Sequence, residues 1–125
     1  MVIIITKKKI DSDALVSNWE RQLRKGTLEL AIISYIRQNS ELAYGYELIK
    51  KLTDNGIPVE GNTIYPIVRR LEKNGLIIAK WTTDTNQPKK YFKITALGEK
   101  VFGIIQNEWN DFFHKINHFI ETGGS

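Results

Sequence analysis

Cysteine is absent from these 125 residues. Its absence excludes a disulfide scaffold, a thiolate zinc site and a thiol nucleophile. Long apolar runs are also missing. The longest at the N-terminus, Val2 to Ile5, is far too short for a signal sequence or a membrane span, which points to an intracellular, cytoplasmic protein with no membrane partner. That leader, "MVIIITKKK", reads equally as an edge strand, a disordered arm or an expression remnant. There is no glycine-rich phosphate loop and no histidine beside a candidate serine, so an enzyme is not expected, and no cofactor. His114, His118 and Glu121 have a metal-ligand spacing, but all three fall on the polar side of their helical pattern, where a solvated face is the simpler account.

What is present is a globular composition, 42% hydrophobic, of a size suited to one modest core. The net charge is +4, and its placement is uneven. Residues 61–95 hold seven bases against two acids, a net +5, while the remaining residues carry 11 bases and 12 acids, a net −1. A concentrated positive segment attracts polyanions.

Asp11 and Ser12 can cap a helix through "DALVSNWERQLRKG", with Leu15, Trp19 and Leu23 on one face. A second helix, "TLELAIISYIRQ", follows or continues it. Apolar residues cover almost its whole circumference, so one side should meet the core and the other, with Leu30 and Ile33, a partner subunit. Tyr46, Leu48, Ile49 and Leu52 mark a short helix stopped by Asn55-Gly56. "IPVEG" connects it to "GNTIYPIVRRLEKNGLI". There Ile64, Ile67, Val68 and Leu71 form an apolar face. Pro66 is expected about four residues after an Asn62 cap, early enough to be tolerated. The opposite face holds Asn62, Tyr65, Pro66, Arg69 and Lys73, flanked by Thr63 and Arg70, and no carboxylate. Such amide, phenol and cationic donors suit base edges and phosphates.

"LIIAKWTTDTNQPKKYFKIT" then reads as a β-hairpin with a tip at Asp84 to Pro88, and Lys89 and Lys90 just beyond it. Thr95 can cap a long last helix. Its Ile105, Trp109, Phe112, Phe113, Ile116, Phe119 and Ile120 extend an apolar face past the end of any core so small a domain can supply. A second copy of the chain is the economical cover. The fold expected is mainly α with one hairpin, a winged helix-turn-helix. Residues 1–11 form a leader, 12–96 the winged domain with its N-terminal helix, and 97–125 a dimerisation helix.

"WERQLRKGTLEL", "YGYELIKKL", "GNTIYPIVRRLEKNGLI" and "PKKYFKITALGEKVF", in this order, resemble the PadR family of bacterial transcriptional regulators, and its shorter subfamily with a single terminal helix. The resemblance implies a dimeric repressor of operator DNA released by a small-molecule effector. It places DNA contacts on Tyr44, Asn62, Thr63, Tyr65 and Arg69, with the wing supplying Lys89 and Lys90. Some members bind flat aromatic effectors between subunits, which implies stacking on Trp109 with Trp19 nearby; plain dimer packing accounts for the same aromatic stripe. A winged-helix module that binds protein and no operator is the alternative function.

Overall fold

The computed structural model describes residues 11–39, 45–83 and 86–125. The leader, Tyr44 and part of the hairpin tip lie outside them. Helix α1, Ser12–Arg24, begins where the Asp11 carboxylate accepts hydrogen bonds from the backbone N–H groups of Asp13 (3.0 Å) and Ala14 (3.3 Å). None of its residues is buried. Gly26, at φ +88°, separates it from α2, Thr27–Gln38, so the two are distinct helices.

Helix α2 is the centre of the core. It buries Leu28, Ile32, Ile33 and Ile36, leaves Leu30 half-buried, and has α3, the hairpin and α5 around it. Ile33, expected at a partner's surface, is instead 5% exposed inside its own chain and has little left to offer another. Helix α3, Gly45–Asp54, contributes Leu48 and Leu52. Helix α4, Gly61–Lys73, contributes Ile64, Val68 and Leu71.

The start of α4 differs from expectation. The cap is Glu60, not Asn62, and it acts through its backbone carbonyl, which accepts from the N–H groups of Thr63 (3.0 Å) and Ile64 (3.1 Å). Pro66 is thus the sixth helical residue. Having no N–H, it leaves the Asn62 carbonyl without its ladder bond, yet the helix runs on to Lys73.

Strands β1, Ile77–Trp81, and β2, Lys90–Ile94, pair antiparallel with Ile77 opposite Ile94 and Trp81 opposite Lys90. Their inner face buries Ile77 and Phe92. Thr95 ties the hairpin to its neighbours. Its one hydroxyl proton is directed between the carbonyls of Gly75 (2.6 Å) and Leu76 (3.1 Å), and its oxygen accepts from the Gly98 N–H (2.9 Å), capping α5, Ala96–Thr122.

Only the first turns of α5 join the core, through Gly98 and Phe102. Arg37 clamps them to the end of α2, with its Nε 2.8 Å from Glu99 and its guanidinium 5.2 Å above the Phe102 ring. From Ile104 to Glu121 every residue is exposed, the large apolar ones included. Among the described residues, no helix is long and apolar enough to cross a membrane.

Candidate nucleic-acid interface

Helix α4 divides into the two faces its periodicity predicts. Asn62, Thr63, Tyr65, Pro66, Arg69, Arg70 and Lys73 are all exposed, opposite the buried Ile64, Val68 and Leu71. The amphipathic pattern positions them. One stripe is held by the core, so the other must face outward.

The hairpin folds back toward this outer face. Because β2 alternates, Lys90 and Phe92 share the inner side; Phe92 anchors in the core and Lys90, two residues earlier, runs past it. The Lys90 ammonium lies 5.6 Å above the Phe92 ring, an arrangement that holds the lysine along the wing. Tyr65 and Arg69 of α4, Tyr46 of α3 and Lys90 of the wing thereby line one open cleft of about 540 Å³. Lys89 sits at the hairpin mouth. Its N–H donates to the Thr82 hydroxyl (2.9 Å) and its carbonyl accepts from the Thr82 N–H (3.0 Å).

Three features depart from the sequence reading. Tyr46, one of the four residues that mark α3 in the sequence, is not among its buried ones but 72% exposed in the cleft. At about 100° per residue it stands roughly 115° from the mean direction of Leu48, Ile49 and Leu52, a signal available in the sequence. Glu72 also lines the cleft, so the surface is not free of carboxylates. A carboxylate there can accept from a cytosine amino group and repels phosphate. Arg70 turns away toward α2. Its Nη2 and Nε lie 3.1 and 3.3 Å from the two Glu29 oxygens, a forked pair across 41 residues. The Glu29 hydrogen bond, and then its charge, raise the Arg70 guanidinium further above its already high range. Both groups remain solvated, so the pair orients α4 on α2 more than it stabilises the fold.

The transcriptional regulator PadR-like family model matches residues 32–104. The chain belongs to the PadR-like family of transcriptional regulators. Its fold is similar to a crystal structure of a PadR family transcriptional regulator from Eggerthella lenta, with 39% identity, a TM-score of 0.80, and coverage of 89% of this chain and 96% of that one. A PadR-like transcriptional regulator from Bacillus cereus is 32% identical at a TM-score of 0.70, covering 79% and 96%. An uncharacterized protein of Lysinibacillus sphaericus is 30% identical over 101 residues, 78% of this chain and 91% of that one.

A second feature of this PadR-family chain lies along α2 and α5. Trp109 stacks on Phe113 with ring centroids 5.5 Å apart and planes at 22°. It also borders a cleft of about 480 Å³ with Leu28, Ala31, Phe102 and Gln106. Trp19, on α1, does not line this cleft and is 65% exposed. His114, His118 and Glu121 are exposed, and no group of metal-ligating residues occurs among the described residues.

Proposed function

We propose that this PadR-family protein is a dimeric, sequence-specific DNA-binding repressor of the cytoplasm. The convergence of Tyr65 and Arg69 from α4 with Lys90 from the wing carries this reading. A helix presenting donors at its leading turns suits the major groove, and a lysine-bearing wing suits the adjoining backbone or minor groove. The contact set proposed is Tyr44, Asn62, Thr63, Tyr65, Pro66, Arg69 and Lys73, with Lys89 and Lys90. Arg70 is proposed only as a flanking contact, since Glu29 already engages it.

The test is fluorescence anisotropy with an operator selected from random duplex DNA, repeated across a salt series. Arg69→Ala should weaken operator binding by about 1–3 kcal/mol and relax preference at one base position. Lys90→Ala should weaken all sequences alike and flatten the salt dependence by roughly one unit of slope. If both variants bind as the wild type does, the DNA face lies elsewhere. A wild type with no salt-dependent DNA affinity would favour the protein-binding alternative.

The dimer rests on the uncovered apolar faces of α1 and α5, where Leu15, Trp19 and Leu23 are 52%, 65% and 69% exposed. A two-fold arrangement would set the half-sites about one DNA turn apart. We further propose that a planar aromatic effector stacks on Trp109, because the indole combines stacking geometry with access to a cleft. Titration of planar aromatic compounds should quench tryptophan emission in the wild type and not in Trp109→Leu. Absence of quenching across a broad panel would assign the stripe to dimer packing alone.

A further inference from the structure

The Tyr65 ring stands between the first residues of two helices. A Cβ placed on Gly45, which opens α3, would lie 3.4 Å from Tyr65 Cε1 and 3.5 Å from its hydroxyl oxygen. One placed on Gly61, which opens α4, would lie 3.0 Å from Cε2 and 3.5 Å from Cδ2. Cε1 and Cε2 are opposite edges of the ring, so the glycines bound a slot one ring wide. Neither has a positive φ. Both are the first residue of a right-handed helix, where alanine is no worse than glycine. No backbone requirement therefore asks for glycine at either position; at Gly61 the ring's 3.0 Å approach does, while a Cβ at Gly45 would only touch the ring's other edge at ordinary contact distance.

We infer that Gly45 and Gly61 are positioning residues for Tyr65. The slot holds the side chain before DNA arrives, in the cleft that Arg69 and Lys90 also line. Tyr65 is 50% exposed, and a side chain that exposed would otherwise lose rotamer freedom on binding. A methyl group at residue 61 crowds the ring edge at 3.0 Å and displaces it by a few tenths of an ångström toward Gly45, where no Cβ opposes it. The hydroxyl is carried off its set position with the ring. This inference rests on the DNA-binding reading and adds to it the two residues that set the phenol.

The experiment is a double-mutant cycle. Gly61→Ala and Gly45→Ala are made singly in the wild type and in Tyr65→Ala, then followed by anisotropy on the selected operator and by thermal melting. In the wild-type background Gly61→Ala should weaken operator binding roughly tenfold, as expected for a lost hydrogen bond to a charged group. Its melting temperature should be no lower than the wild type's, because alanine favours the helix. In the Tyr65→Ala background the same change should alter binding less than about twofold. Gly45→Ala should follow the pattern more weakly, its contacts being longer. An equal loss with and without the Tyr65 ring overturns the inference, as does unchanged binding in the wild-type background or a melting temperature that falls with the affinity. Wild-type protein that fails to bind any duplex in a salt-dependent way would instead remove the DNA-binding reading, and this inference with it.

Discussion

Ile116→Asp is expected to convert the proposed dimer to a monomer and to weaken binding to a two-half-site operator by about a hundredfold or more. Ile116 lies at the centre of the α5 apolar stripe, flanked along the helix by Phe112, Phe113, Phe119 and Ile120, and is 45% exposed in the single chain. Burying such a side chain from full exposure is worth about 1.5–3 kcal/mol, and a partner helix would supply the part that corresponds to the area still exposed, roughly half or more. A carboxylate at the centre of that surface would have to be buried without a partner or protonated, at a cost of several kcal/mol. The loss in DNA affinity then follows from geometry. Two recognition helices joined in one dimer raise the effective concentration of the second at its half-site, and a monomer forfeits that gain. Sedimentation velocity gives the oligomeric state. Binding to a single half-site duplex checks that α4 itself is intact, since Ile116 is far along α5 from the cleft. A variant that sediments as the wild type does would place the interface elsewhere.

Gly98→Ala should destabilise the fold by about 3 kcal/mol or more, a large reversal of the usual gain from replacing helical glycine. The added Cβ would meet the Leu76 carbonyl oxygen and, at 2.6 Å, Ile94 Cγ1. That carbonyl cannot step aside easily, because it accepts from the Thr95 N–H at 3.0 Å and the Thr95 hydroxyl at 3.1 Å. Relief requires the N-terminus of α5 to lift off Leu76 and Ile94 at the base of the hairpin, breaking the junction that Thr95 makes. Gly103→Ala on the same helix is the control. Nothing lies within 4 Å of its added Cβ, so it should stabilise by up to about 1 kcal/mol. Thermal melting of the two variants should move in opposite directions. A Gly98→Ala protein within about 1 kcal/mol of the wild type would show that the approach of α5 to Leu76 is looser than these distances state.

The elements of this fold were legible because their signals are local. The Asp11 and Thr95 caps, the Asn55-Gly56 stop of α3, and the strand-forming runs on both sides of a polar tip each act within a few residues. The division of α4 was legible for the same reason, since one periodicity dictates both the core stripe and the donor face. Helix α2 shows where periodicity stops informing. With apolar residues almost all round, nothing in the pattern distinguishes Ile33, buried in its own chain, from Leu30, only half covered. The α4 cap was missed because Glu60 caps with its carbonyl, a group every residue carries. Tyr46 marks α3 as a large apolar residue, and its place in the cleft needed the docking of α3 beside α4 and the wing.

By itself, the sequence determined the helices, the hairpin, the concentration of cations in residues 61–95 and the two faces of α4, because propensity, capping and period act between near neighbours. Only the tertiary structure decided that Arg70 turns to Glu29, that Lys90 and Tyr46 join Tyr65 and Arg69 in one cleft, that Gly45 and Gly61 enclose the Tyr65 ring, and that α5 rests against Leu76 at Gly98. Each of these depends on how separate elements dock. Docking is set by the shared core that the helices and hairpin fill together, not by any stretch of chain read alone.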